Sequence, residues 1–184
     1  MSKIVSAGFL LGAVITMSGT SQAATVTPIF PVIPQFGGIF PMPTAAERPD
    51  PKLRYRVIFN ITKSAASPDK LNPSLEKVAQ LLNLLGADGV QPAAGDIIAI
   101  VQGPATPLTL KNAAYAARTK GEKNPNLALI TALKKAGVSV RVCSQAMIGN
   151  GITPDQVTAD VIIDDSALTT LTNLQLRGYA LIPD

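Results

Sequence analysis

Short apolar runs alternate with amphipathic stretches along the chain after Lys52. The run Ile97–Val101 contains no polar residue, which is typical of a strand that is covered on both faces. The stretch that follows Asn72 and Pro73 repeats apolar residues at helical spacing as far as Gly86, and an Asn-Pro pair favours a helix start. The same criteria predict five strands, over residues 55–61, 97–101, 138–142, 161–163 and 179–182.

Helices are predicted in the intervals between these strands. They cover residues 73–85, 108–118, 124–137, 144–147 and 167–177, and a further helix begins at Thr153 and Pro154. Strands and helices that alternate this regularly favour a three-layer α/β/α sandwich around a parallel sheet of about five strands. We expect residues 52–184 to form this α/β domain.

The first 23 residues have the pattern of a secretory signal peptide. Lys3 precedes an apolar run from Ile4 to Met17, and small residues end at Ala23, where we expect cleavage. The run is shorter than the roughly 20 apolar residues of a membrane-spanning helix. We therefore expect no stable membrane span after cleavage and a periplasmic protein, with an uncleaved anchor as the alternative.

Residues 24–51 form an apolar, proline-rich tail in front of the α/β domain. Its seven prolines exclude a helix or a central strand, because proline fixes φ and lacks an amide donor. Phe30, Phe36 and Phe40 make the tail too apolar for a solvated linker. Three interpretations stay open: docking on its own domain or on a neighbouring subunit, contact with a partner or a membrane surface, and plain disorder.

Composition removes several classes of function. The 184 residues include no histidine and one cysteine, which excludes His-based triads, His general bases and the usual zinc sites. The net charge of +4 is spread without a basic stripe, so we expect no nucleic-acid partner. Asp164 and Asp165 are adjacent on a strand and would point to opposite faces, so a helix cap at Asp165 or Ser166 is favoured over a metal site. We predict no metal and no cofactor, and we find no hydrolase or oxidoreductase motif.

Cys143 is the best clue to chemistry, because it stands where a predicted buried strand gives way to the polar pair Ser144 and Gln145. In open α/β sheets, ligands collect outside the carboxyl ends of the strands. A thiol just before a helix meets unpaired N–H groups, which favour the thiolate. A packed role is equally open, since free cysteine is among the most buried residue types.

The carboxyl ends of the other strands are expected to bring polar residues to the same edge as the thiol. Amide side chains and helix N–H groups can hold a thiolate or a persulfide, but they cannot abstract a proton as histidine would. The candidate site therefore consists of catalytic Cys143 and the binding residues Asn60, Gln102, Gly103, Ser144 and Gln145.

The chain from about residue 55 to residue 183 resembles the DsrE/DsrF-like superfamily. The resemblance rests on four segments that occur in the expected order, Val101–Ala105, Lys135–Val138, Gly151–Asp155 and Leu174–Ala180. It implies a parallel-sheet domain that assembles into a homo-oligomer, a trimer or a hexamer. In the sulfur-relay members it also implies a cysteine at the position of Cys143 that receives and passes on a persulfide. Gln102 stands where this superfamily often has histidine.

These observations predict an exported DsrE-like protein, a sulfur carrier with sulfurtransferase-like chemistry, that binds or relays sulfur on Cys143 as a persulfide or a mixed disulfide. With no second cysteine, release of the sulfur requires another molecule or subunit, so a sulfur donor or acceptor protein is an expected partner. Two alternatives stay open. One is a non-catalytic oligomeric binding module for a small ligand or protein partner, with the cysteine packed, and the other is an exported thiol sensor.

Overall fold

The computed structural model of the protein describes residues 26–184, so the predicted signal peptide lies outside the described residues. Within them, five strands form a parallel sheet, namely β1 Val57–Ile61, β2 Ile97–Val101, β3 Ser139–Cys143, β4 Ile162–Asp164 and β5 Ala180–Ile182. The α-helices are α1 Pro73–Ala87, α2 Asn112–Thr119, α3 Leu127–Lys135, α4 Ser144–Gly149 and α5 Ala167–Leu176. None of the helices described is long and apolar enough to cross a bilayer.

The strand order β4-β3-β2-β1-β5 distributes the helices unequally over the two faces of the sheet. Strands β1, β2, β3 and β4 follow one another in the same direction across the sheet. Because parallel crossovers are right-handed, the helices that connect these strands lie on one face of the sheet. Helices α1 and α3 accordingly pack on one face, here called the α1 face. Helix α5 crosses back over the opposite face, the α5 face, before β5 pairs with β1. The predicted three-layer α/β/α sandwich is confirmed, with a thinner layer on the α5 face.

Side-chain caps define the starts of the two longest helices. The Asn72 side chain accepts a hydrogen bond from the Ser74 amide at 3.0 Å at the start of α1. Ser166 Oγ accepts one from the Leu168 amide at 3.1 Å at the start of α5. Each oxygen replaces a backbone partner that the first helical turn lacks, so both helix starts follow directly from the sequence.

Three predicted helices differ in the structure. Gly103–Thr109 forms a 3₁₀ helix ahead of α2, because Pro107 has no N–H to donate to a regular α-helix. The helix predicted from Asn124 begins only at Leu127, because the Asn124 side chain turns inward and donates to two buried carbonyls at 2.8 and 2.7 Å. The helix predicted after residue 153 is a single 3₁₀ turn, Pro154–Gln156.

Residues 26–50, here called the strap, lie against α1 of their own domain. Ile29 and Ile39 pair in an antiparallel bridge with N–H···O distances of 2.9 and 3.0 Å. The loop between them inserts Ile33 into the core, where it is 1% exposed. Of the three interpretations of the proline-rich tail, the structure therefore shows docking on its own domain.

Asn83 of α1 holds the strap by its side-chain amide. Asn83 is fully buried and lies beside the apolar stripe of the helix. Its Oδ1 accepts hydrogen bonds from two strap amides, and its Nδ2 donates to two strap carbonyls. The four backbone partners are Val32 N at 2.9 Å, Ile33 N at 2.8 Å, Phe36 O at 2.9 Å and Gly37 O at 2.9 Å.

Candidate functional site

Cys143 is the last residue of β3 and occupies the cap position before α4. Its side chain is 4% exposed and belongs to the apolar cluster on the α5 face. Strands β1 and β2 and helix α5 supply the buried residues of that cluster, Ile58, Ile98, Ile100, Ala167 and Leu174. The thiol therefore lies at the carboxyl edge of the sheet, in the layer that α5 covers.

Asn60 and Gln102 lie on neighbouring strands near the same edge. The parallel register pairs Val101 with Val142, which places Gln102 opposite Cys143 in the next position. Gln102 Nε2 donates a hydrogen bond to Asn60 Oδ1 at 2.8 Å. The two amides thus bond to each other, and among the described residues no hydrogen bond reaches the Cys143 sulfur.

Ser144 and Gln145 both bind the loop that leads into α5. Ser144 Oγ donates to the Asp165 carbonyl at 2.6 Å, and Gln145 Nε2 donates to the same oxygen at 3.3 Å. Gly103 turns the chain after β2 with a φ of +56°, which favours glycine. Ser144 and Gln145 therefore tie α4 to the start of α5 and help to hold the cover of the thiol in place.

The sequence reasoning missed Arg141 as a site residue. Side chains alternate along a strand, so Arg141 and Cys143 share the α5 face. Arg141 Nη1 lies 3.4 Å from both carboxylate oxygens of Asp164. The parallel register pairs Asp164 directly with Cys143. The signal in the sequence was the position of Arg141 two residues before Cys143 on a predicted strand, which places both side chains on one face.

Asp164 and Asp165 have different surroundings. Thr170 Oγ1 donates to the Asp164 carboxylate at 2.7 Å, so this side chain is held by a hydroxyl and by the guanidinium of Arg141. Asp165 is exposed. In the range 26–184, no group of three or more His, Cys, Asp or Glu side chains is placed to hold a metal ion.

A second polar cluster, which the sequence reasoning also missed, lies where β1 and β5 are neighbours and the strand order reverses. The Asp184 carboxylate accepts hydrogen bonds from Thr62 N at 2.7 Å, Thr62 Oγ1 at 2.9 Å and Lys63 N at 2.6 Å. Ser74 Oγ of α1 is a further donor. Burial by itself would raise the pKa of Asp184, but these hydrogen bonds outweigh it and lower the pKa to about 2.

Asp184→Asn should lower the free energy of unfolding at pH 7 by about 2 kcal/mol, because the pKa of the carboxyl falls from 3.8 to about 2 on folding. A lowered carboxyl pKa stabilises the folded state above the unfolded value. The difference between wild type and variant should therefore be full above about pH 4 and disappear as the pH falls through about 2. Urea unfolding at a series of pH values measures it, with Asp155→Asn at an exposed position as control. A difference that does not change with pH would contradict this assignment.

Comparisons with known proteins agree with the fold. The DsrE/DsrF-like family matches residues 56–183. The structure is similar to that of a protein of unknown function, MTH1491 from Methanobacterium thermoautotrophicum, with a TM-score of 0.52, 20% identity, and coverage of 71% of this chain and 99% of that one. It is also similar to the ychN protein from E. coli, with a TM-score of 0.52, 15% identity and the same coverage, 71% and 99%.

These structural neighbours establish the fold alone at such identities, and no curated protein matches the chain significantly. The family match covers the whole sheet from β1 to β5 and leaves the strap outside it. The resemblance inferred from the sequence is therefore confirmed. The chain belongs to the DsrE/DsrF-like family.

Proposed function

We propose that this protein is an exported sulfur carrier that holds sulfur on Cys143 as a persulfide or a mixed disulfide. The observation that carries the proposal is the position of Cys143, the one cysteine of the chain, at the carboxyl edge of a DsrE-like sheet. Ligands of open α/β sheets bind outside this edge. Arg141 and Asp164 form a charged pair beside the thiol, and a sulfur donor that approaches this edge of the sheet could contact them.

In the proposed reaction, the Cys143 thiolate attacks the outer sulfur of a donor persulfide, R–S–SH. A sulfur–sulfur bond to Cys143 forms while the donor's own sulfur–sulfur bond breaks, and the donor leaves as the thiolate R–S⁻. The proton stays on the transferred sulfur, so atoms and charge balance without an oxidant. An acceptor thiolate then attacks the same outer sulfur and restores the Cys143 thiolate. Because the chain has no second cysteine, donor and acceptor belong to other molecules or to another subunit.

Access to the thiol requires the start of α5 to move in this proposal. Ala167 and Leu174 of α5 pack in the cluster that buries Cys143. Ser144 and Gln145 hold the loop before α5 by two hydrogen bonds to a single carbonyl oxygen. These bonds are few and lie near the surface, so local opening of this segment costs less than unfolding of the domain.

The proposal places the protein in the periplasm as a homo-oligomer, a trimer or a hexamer. Exposed apolar side chains on the thinner side of the sheet support assembly, because such patches mark protein interfaces. Leu168 and Leu176 of α5 are 75% and 82% exposed, and Ile162 is exposed on the edge strand β4. A sulfur donor or acceptor protein is the other partner that the proposal requires.

The burial of Cys143 favours a second candidate function. A cysteine that is 4% exposed within an apolar cluster is what a packed structural residue would show. The protein would then be an oligomeric binding module for a small ligand or a protein partner, and its thiol would take no part in chemistry.

Labelling of the native protein with a small thiol reagent separates the two functions. A carrier should be labelled at Cys143 far faster than the domain unfolds, and Ser144→Ala should speed labelling by about fivefold, the effect of one lost hydrogen bond of about 1 kcal/mol. Gln91→Ala, at an exposed position away from this edge, should leave the rate unchanged. Labelling that occurs only at the rate of global unfolding would exclude the carrier and favour the binding module.

A further inference from the structure

A groove runs along one flank of α5, on the side that faces β4. Its cavity volume is 220 Å³. Thr169, Thr170, Asn173 and Arg177 line it from the helix at helical spacing, and β3 and β4 supply the opposite wall. The charged residues of its lining are Arg141, Asp164, Asp165 and Arg177. We call this site the α5 groove.

The α5 groove contains charges of both signs that the protein does not use internally. Arg177 and Asp165 form no side-chain hydrogen bond or ion pair with any residue in the range 26–184. Arg141 reaches Asp164 only at 3.4 Å, which is longer than the roughly 2.7–2.9 Å of a strong charge-assisted hydrogen bond. Its Nη2 has no hydrogen-bond partner among the described residues. The groove therefore offers an exposed cation, Arg177, and an exposed carboxylate, Asp165, that no residue in the described part of the chain pairs with.

Charges of both signs in a small groove favour a small zwitterion. The ammonium of such a ligand would pair with Asp165 at the carboxyl edge of the sheet. Its carboxylate would pair with Arg177 and with Nη2 of Arg141. A volume of 220 Å³ lies below the roughly 300–1,000 Å³ of pockets for drug-sized ligands, which favours a ligand of amino-acid size.

We infer that the α5 groove binds a small amino-acid thiol, with its ammonium at Asp165 and its carboxylate at Arg177. The choice of a thiol rests on the proposed function, because the groove lies next to Cys143. Asp164, which lines the groove, is the register partner of Cys143 on the neighbouring strand, so their Cα atoms are about 5 Å apart. Cys143 itself does not line the groove, so a ligand held there lies one strand away from it, and the ligand's thiolate can act as the acceptor in the exchange described above once the start of α5 opens.

Calorimetric titration of the full-length Cys143→Ser protein tests the binding without any sulfur chemistry. S-methylcysteine and S-methylglutathione serve as probes, because neither has a free thiol. Saturable binding of either one is expected, and Arg177→Gln or Asp165→Asn should each weaken it by about tenfold, since each removes a charge-assisted hydrogen bond. Lys123→Gln removes an exposed charge in the loop between α2 and α3 and should leave the affinity unchanged.

The two probes distinguish the source of the zwitterion. Tighter binding of S-methylcysteine identifies a free amino-acid thiol, as the size of the groove predicts, and tighter binding of S-methylglutathione identifies a peptide thiol. Absence of saturable binding, or an affinity that the groove variants leave unchanged, would overturn the inference. Inorganic polysulfide can load wild-type Cys143 without the groove, so failure of this inference and failure of the proposed function give different results.

Discussion

Replacement of Asn83 by alanine should release the strap from α1 and lower the free energy of unfolding by about 3 kcal/mol. The Asn83 amide is fully buried and serves four backbone groups of the strap. Its removal leaves two N–H donors and two carbonyl acceptors without partners, two of these hydrogen bonds being buried and two partly buried, and an unpaired group costs about 1 kcal/mol or more where it is buried and less where water reaches it. Urea unfolding measures the lost stability, and limited proteolysis measures the release of the strap.

A second substitution, in the strap itself, should also release the strap from α1. Gly37 has a φ of +61°, and an added Cβ would lie 2.3 Å from the backbone nitrogen of Gln80 in α1. Gly37→Ala should therefore also make the strap sensitive to protease, while the domain itself stays resistant. Lys77→Ala, at an exposed position of the same helix, is the matched control and should change neither quantity. Cleavage of the strap at the wild-type rate in both variants would contradict its docking on α1.

Much of the fold could be predicted from the sequence, because the signals for individual elements are local. Ile97–Val101 is a strand in the structure over the predicted residues, and the caps Asn72 and Ser166 stand at the helix starts. Strand order could not be predicted, since it depends on which edge of the sheet the last crossover reaches. The inward turn of Asn124 delayed a helix for a similar reason, because its carbonyl partners are distant in sequence.

The docking of the strap also depends on contacts between distant residues. Proline content excluded regular structure there, but it could not decide between docking, partner contact and disorder. The deciding residue is Asn83, a polar side chain beside an apolar helical stripe, and its partners lie about 50 residues away in sequence. A buried asparagine is informative only when the backbone groups that it satisfies are known.

At the candidate site, the sequence indicated the edge of the sheet but not the contacts of its side chains. Asn60 and Gln102 bond to each other, and Ser144 bonds to the loop before α5. Burial of Cys143 by α5 could not be predicted, because it follows from the return crossover to β5. Arg141 was within reach of sequence reasoning, because residues two apart on a strand share a face.

Loading with sulfur should depend entirely on Cys143. Wild-type protein exposed to inorganic polysulfide should gain reducible sulfur, and Cys143→Ser should gain none, because Cys143 is the one thiol in the chain. A serine at this position keeps the size of the side chain close to that of cysteine, so the fold of the variant should be retained. Circular dichroism of the variant checks that retention, and a loss of loading by a folded variant assigns the sulfur to Cys143.

The intact mass of the protein, purified without reductant, shows whether Cys143 carries sulfur. It is recorded before and after exposure to inorganic polysulfide, with Cys143→Ser alongside and with a reduced aliquot of each sample. Wild type alone should gain the mass of one or more sulfur atoms, and reductant should remove the gain. An unchanged mass, with Cys143 still a free thiol that reacts only after unfolding, would contradict the sulfur carrier.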